Sequence, residues 1–147
     1  MNENLVDKNK KRIEKAFNDL SLTTMDSLDS FYDKQIVFMD PVTEVSGLEA
    51  VKKYYAHVYK NVINIHFKFS AIHNDGSVYF AKWKMHLQVK GLNSQKPYTV
   101  EGVSELKFGE NNMVVYHRDY LDLGAMLYER LPVIGKVIQK IKSFMEA

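Results

Sequence analysis

The spacing of apolar positions changes period along this chain. Over residues 3–21, Leu5, Val6, Ile13, Ala16, Phe17 and Leu20 recur near helical spacing with Lys and Glu between them, predicting an amphipathic helix. Thr24 is placed to cap a second short helix carrying Leu28, Phe31 and Tyr32. Residues 35–40, QIVFMD, read as a strand that ends at Asp40-Pro41, because proline has no N–H to give a ladder. Ser46 with Glu49 forms a capping-box pattern for a third helix, whose apolar stripe is Leu48, Val51, Tyr55, Val58, Tyr59 and Val62.

From residue 65 the period is two. Ile65, Phe67, Phe69 and Ala71 alternate with His66, Lys68 and Ser70, and Asn74-Asp75-Gly76 signals a hairpin. Trp83, Met85, Leu87 and Val89 then alternate with Lys82, Lys84, His86 and Gln88. A third run places Tyr98, Val100, Gly102, Ser104, Leu106 and Phe108 on one face. After a turn at Gly109–Asn112 a fourth strand holds HRDYLD, and a helical pattern follows. The reading is α+β: helices interrupted by one strand, a four-stranded meander, then C-terminal helix. The apolar sheet face should lie under the N-terminal helices, leaving the other face to solvent or a second subunit.

Composition narrows this picture. At 147 residues, 46% of them hydrophobic, one domain spanning 1–147 is expected. Nine of the aromatic residues are Tyr, which suits pockets and interfaces. A net charge of +2 is too mild for a nucleic-acid protein, which would carry a concentrated basic stripe. The absence of cysteine excludes disulfides, thiol nucleophiles and thiolate metal sites. The start MNENLVDKNKKR has no apolar core of a secretory signal, and no apolar run reaches bilayer length, so a soluble cytoplasmic protein is predicted.

Candidate chemistry gathers at His117 and Asp119, alternating against Arg118 and Tyr120 on one strand face. If Phe108 sits opposite Met113, Ser104 faces His117 and Gly102 faces Asp119. The pair then points at the helices among Trp83, Met85 and the tyrosines, with Gly102 leaving room for a ligand. A desolvated acid there has its pKa raised unless a partner such as His117 compensates, and either state serves acid–base chemistry. The competing reading gives Asp119 a structural hydrogen bond and makes His117 a satisfied packing residue. Asp40 is either a turn acceptor or an acid at the pocket rim. Asp122 is placed to cap the helix after it, and Pro132 to break that helical region in two. No metal site is expected, because a zinc site needs at least three protein ligands and the other histidines do not converge. Lys68, Lys82 and Lys84, with His66 and His86, form a basic streak on the polar sheet face. In residues 123–147, Ile134, Val137, Ile138, Ile141 and Met145 make one apolar stripe with Lys136, Lys140 and Lys142 mostly off it. This is an amphipathic extension suited to packing on the body or a dimer mate, or to lying on a membrane or partner.

The runs FMDPVTEVSGLEAVKKYY, EGVSELKF and VVYHRDYLDLGAMLYERLPVIG, with the tryptophan strand between them, resemble the nuclear transport factor 2-like superfamily and its SnoaL-like branch. The resemblance covers Phe17 to Lys142 and implies a cone: a curved antiparallel sheet wrapped around helices, with a pocket at the open end. Relatives include ketosteroid isomerases, polyketide cyclases, limonene epoxide hydrolases and non-catalytic binding modules, so the fold alone does not select a function. Asp119 matches the first acid of the W-R-D-Y-F-D run of limonene epoxide hydrolases, with His117 at the Trp position. The Arg-x-Asp pair of those enzymes is absent, since Trp83 and Met85 stand roughly there. By likeness to ketosteroid isomerases Asp40 resembles a base and Tyr32 or Tyr55 a donor. SnoaL-type cyclases use a His and an Asp, similar in kind to His117 and Asp119.

Two readings follow. In one, the cone binds a small apolar molecule and works without a cofactor as an isomerase, cyclase or dehydratase. Asp119, His117 and Asp40 would be its acid–base residues, and Tyr32, Phe38, Tyr55, Trp83, Met85, Gly102 and Ser104 its pocket. In the other, the chain is a non-catalytic binding or assembly module, a homodimer that uses its C-terminal helix on a membrane or a protein partner.

Overall fold

The period-two segments form one six-stranded sheet in a computed structural model that describes residues 2–146, with side chains from Asn4 onward. The two terminal residues of the expected 1–147 span lie outside the described residues. Helix α1 (Asn2–Asp19) is followed by a 3-10 turn (Met25–Ser30), β1 (Tyr32–Met39), β2 (Glu44–Ser46) and α2 (Leu48–Tyr59). Then come β3 (Val62–Asp75), β4 (Val78–Val89), β5 (Tyr98–Phe108) and β6 (Val114–Leu121). The chain continues through α3 (Leu123–Met126), a 3-10 turn (Tyr128–Arg130) and α4 (Pro132–Ser143). The strand order is β2-β1-β6-β5-β4-β3. All neighbours are antiparallel except β1 and β6, which run parallel. The predicted α+β class therefore holds, and the meander is β3 to β6.

The alternation sets which face packs. Tyr79, Ala81, Trp83, Met85 and Leu87 of β4 are buried, whereas Lys82, Lys84 and His86 between them are exposed. Helices α1 and α2 cover this concave face. The Phe17 ring meets Phe67 and Phe69 edge-on at 5.2 and 5.4 Å, and Asn18 bonds both backbone groups of Phe67.

Several local expectations are corrected. Thr24 does not cap a helix: its hydroxyl donates to the Asp19 carbonyl and accepts from the Ser21 N–H, tying off the end of α1. Tyr32 opens β1 rather than sitting on a helix. Ser46 pairs with Val37 in a short strand the pattern did not reveal. The Gly47 N–H bonds the Ile36 carbonyl at 2.7 Å, which holds Ser46 extended and leaves Gly47 as the N-cap of α2, at φ 93°. That left-handed conformation suits glycine.

The register between β5 and β6 also differs. Ser104 pairs with Asp119, Leu106 with His117 and Gly102 with Leu121, and a bulge separates the Lys107 and Phe108 pairings. The expected pairing was off by two residues, so His117 and Asp119 keep the face predicted for them. Past β6, Asp122 caps α3 by accepting from the Ala125 N–H at 3.1 Å, and Pro132 opens α4. The predicted extension is thus two helices separated by the turn at Tyr128–Arg130, and the proline opens the second.

Candidate active site

At the open end of the cone the sheet and α2 enclose a cavity of about 460 Å³. Its wall is largely aromatic and aliphatic, and includes the predicted Tyr32, Phe38, Tyr55, Trp83 and Met85. His117, Asp119 and Asp40 also reach it.

The polar side chains form one connected chain of hydrogen bonds ending on Asp119. His117 is 1% exposed, and its Nε2 lies 2.6 Å from Asp119 Oδ1. Its Nδ1 lies 2.6 Å from the Tyr32 hydroxyl, which in turn is 3.1 Å from the Tyr55 hydroxyl. From the other side the Trp83 indole N–H donates to Ser104 Oγ at 2.9 Å, and Ser104 donates to the same Asp119 Oδ1 at 2.5 Å. One arrangement of protons satisfies every member: Tyr55 donates to Tyr32, Tyr32 to Nδ1, and Nε2–H to the carboxylate. Both arms then deliver a donor to Asp119 Oδ1. Phe17 stacks on the imidazole at 5.4 Å and Phe38 meets it edge-on at 5.0 Å, which fixes the ring. The parallel pairing of β1 with β6 builds this arm, because it sets Phe38 beside His117.

Asp119 Oδ2 has no hydrogen-bond partner among the described residues. No buried side-chain oxygen is left unpaired there, and Asp119 retains 17% side-chain exposure, so Oδ2 opens to the cavity. Tyr59 also lines the cavity, and its hydroxyl likewise has no partner among the described residues. Burial first, and then the charge of Asp119, raise the Tyr59 pKa, so this hydroxyl keeps its proton as a donor. Burial also pushes Tyr32 and Tyr55 up.

Asp40 is differently placed. Its Oδ1 accepts the N–H groups of Val42 and Thr43 at 2.8 and 2.9 Å, and its Oδ2 accepts the Tyr54 hydroxyl. Both oxygens are engaged, as the turn-acceptor reading of this residue requires. Gly102 and Ser104 stand behind the wall instead of in it. A Cβ at Gly102 would lie 2.3 Å from the Trp83 ring, so the space expected for a ligand is filled by the indole. Ser104 is fully buried between Trp83 and Asp119. Neither Tyr54 nor Tyr59 was expected as a site residue; Tyr59 stood in the apolar stripe of α2, whereas Tyr54 carried no such signal. Tyr98 was missed too. Its hydroxyl donates to the Met126 carbonyl at 2.6 Å and the Arg130 guanidinium lies 4.4 Å above its ring, seating α3 at the mouth. Among the described residues no three His, Asp or Glu side chains converge as metal ligands would.

A cone of this strand order with a polar group set deep in an apolar cavity defines a nuclear transport factor 2-like protein. The SnoaL-like domain profile matches residues 13–117, and the chain belongs to that family. No curated protein matches it. Solved structures share the fold. One is a Catenulispora acidiphila protein with a ketosteroid isomerase-like fold in complex with trimethylamine: 18% identity, TM-score 0.66, covering 75% of this chain and 85% of that one. Another is an NTF2-like protein of unknown function from Exiguobacterium, with 16% identity, TM-score 0.62, and coverage of 80% and 98%. TerC co-crystallised with polyporic acid matches at 12% identity and TM-score 0.62, over 69% of this chain and 82% of that one.

Proposed function

We propose that the chain binds a small, mainly apolar molecule in the cone and performs cofactor-independent proton transfer on it, with Asp119 as the acid–base residue. The observation that carries this reading is the asymmetry of the Asp119 carboxylate. Oδ1 holds two donors, while Oδ2, on the cavity side, has no partner among the described residues. A carboxylate fixed by one oxygen and open at the other is oriented to exchange a proton with a ligand.

In this mechanism Oδ2 takes a proton from a carbon next to a carbonyl. The Tyr59 O–H supports the oxygen on which negative charge develops. Returning the proton to another carbon gives isomerisation. Attack of the carbanion on a second carbonyl carbon of the same molecule, whose oxygen takes the proton back from Asp119, gives cyclisation, and expulsion of a β-hydroxyl that leaves as water with that proton gives dehydration. His117 and Ser104, held in turn by Tyr32 and Trp83, both bond Asp119 Oδ1 and act as positioning residues for the carboxylate. The trimethylamine and polyporic acid found with two relatives of the fold support a small-ligand role for the cone.

The test uses Trp83, the only tryptophan, which lines the cavity and bonds Ser104. The protein is titrated with steroids, terpenoids, fatty acids and aromatic polyketides while its fluorescence is followed. A saturable change identifies a ligand class, which is then assayed for turnover with Asp119→Asn alongside. Turnover by the wild type that the variant loses supports the mechanism. Turnover unchanged in Asp119→Asn would falsify it. Binding without turnover by the wild type leaves a non-catalytic carrier.

A further inference from the structure

Helix α4 meets the body along one edge only and leaves most of its apolar stripe exposed. Its buried position is Gly135, where a Cβ would lie 2.5 Å from the Glu129 carbonyl oxygen. Near that side Lys142 pairs with Glu129 at 2.9 Å and reaches Asp122 at 4.0 Å. The helix therefore meets the protein along the narrow edge of Gly135 and Lys142. At 100° per residue, Val133, Ile134, Val137, Ile138 and Ile141 fall within an arc of about 140° that starts beside this edge at the half-buried Ile138 and runs to the far side. Phe144 and Met145 continue that arc beyond the helix. Exposure along it is high, 49% at Ile134, 58% at Ile141 and 88% at Met145.

The charges on the helix itself have one sign. Lys136 and Lys140 flank the apolar arc on one edge and Lys142 on the other, and α4 contains no acid. Lys136 and Lys140 make no ion pair among the described residues. Nor do Lys60, Lys90 and Lys96, exposed in the segments that carry the cavity-lining Asn61, Leu92 and Tyr98. The same helical region supplies Met126 and Leu127 to the cavity wall, so the basic, apolar surface adjoins the mouth.

From these features we infer that α4 docks on a lipid bilayer bearing anionic headgroups, lying in its surface. Apolar side chains enter the acyl boundary while lysines at the edges of the arc meet the phosphates. The helix lies on the bilayer and does not cross it. It is about 18 Å long, and no helix of the described residues is long and apolar enough to span a membrane. A second copy is the weaker occupant. One side of so short a helix falls far below the ~800 Å² per partner of a stable interface, and lysines repeated across a twofold axis would repel.

The test is co-sedimentation of the full chain with vesicles of phosphatidylcholine alone or mixed with phosphatidylserine. Binding is expected with the anionic vesicles and is weakened by salt. Val137→Glu with Ile141→Glu should abolish it, with circular dichroism and Tm unchanged because both sites are exposed. Lys136→Gln with Lys140→Gln should weaken it by roughly tenfold or more at low salt. Absence of wild-type binding, or binding indifferent to the glutamate pair, overturns the inference. So does a wild-type dimer in sedimentation equilibrium that the glutamate pair converts to monomer, with vesicle binding absent. Ligand titration of Trp83 is independent of every arm, so failure here leaves the reading of the cavity standing.

Discussion

At the closed end of the concave face Asn9, Arg12, Tyr79 and Asn112 bond one another; at the open end five side chains are linked to Asp119. Both networks are buried, and both join α1 or β1 to the meander. They differ in how completely they are satisfied. Asn9 donates to the Tyr79 hydroxyl and to Asn112 Oδ1, and accepts from Arg12 and Asn112 Nδ2, at 3.0 to 3.2 Å. The amide has used its full capacity. Asp119 receives two donors on one oxygen and keeps the other open to the cavity. A saturated network locks one arrangement and has nothing left for a ligand, whereas an acceptor held in place with spare capacity can exchange a proton.

Breaking each network should therefore produce opposite kinds of damage. The largest effect falls on turnover: Asp119→Asn is expected to lower kcat by about 10²–10⁴-fold, with Tm little changed because an amide can still accept from His117 and Ser104. Steady-state kinetics with a thermal melt checks both halves. Asn9→Ala should do the reverse. It leaves the Tyr79 and Asn112 groups without partners in a site that is 2% exposed. The cost should be about 2–3 kcal/mol, a fall in Tm of roughly 5–10 °C, with kcat per folded molecule unchanged. If Asn9→Ala reduced kcat as Asp119→Asn does, the division between the two ends would collapse.

The tyrosines sharpen the contrast in a smaller way. Tyr32, Tyr55 and Tyr59 lie at the open end, and burial raises the pKa of each. The unfolded chain loses tyrosine protons near pH 10, whereas the folded chain retains them. Their contribution is thus complete below pH 10 and is lost as pH rises above it. Stability should fall by about 1.4 kcal/mol per pH unit for each buried tyrosine. Tyr55→Phe removes one of these protons, so the fall in urea-unfolding stability from pH 9 to pH 11 should be smaller by about 1.4 kcal/mol in total. An unchanged slope would mean that Tyr55 ionises in the folded state.

Much of this arrangement was legible in the chain. Alternation is a local property and gave the bounds of β5, Tyr98 to Phe108, but not the starts of β1 and β3, where Tyr32 and Val62 read as helical. The shared face of His117 and Asp119 was readable despite a wrong register, because an error of two residues preserves the side of the sheet. What failed depended on distant partners. The bulge beside Phe108 shifted the pairings, and nothing near residue 102 announces that Trp83 fills the space above it. The parallel contact that brings Tyr32 to His117 joins residues 85 positions apart. Ser46 carried a capping pattern that the sheet overrode by pairing its backbone. Local periodicity specifies faces; the closure of the cone specifies which side chains meet on them.

Asp40 gives the finest test, because it reaches the same cavity as Asp119 and was an equal candidate on residue type. Its oxygens hold Val42 N–H, Thr43 N–H and the Tyr54 hydroxyl. In Asp40→Asn the amide oxygen can keep both backbone donors, and Tyr54 can turn to accept from the new NH₂. The substitution turns three charge-assisted hydrogen bonds into neutral ones without leaving a donor unpaired, so it should cost about 1–2 kcal/mol. Activity should stay within severalfold of wild type. The paired measurement is Tm and kcat/KM for Asp40→Asn and Asp119→Asn on the same substrate. A loss at Asp40 as deep as that at Asp119 would mean that a carboxylate with both oxygens engaged still reacts. Spare hydrogen-bonding capacity would then no longer separate the reactive acid from the structural one.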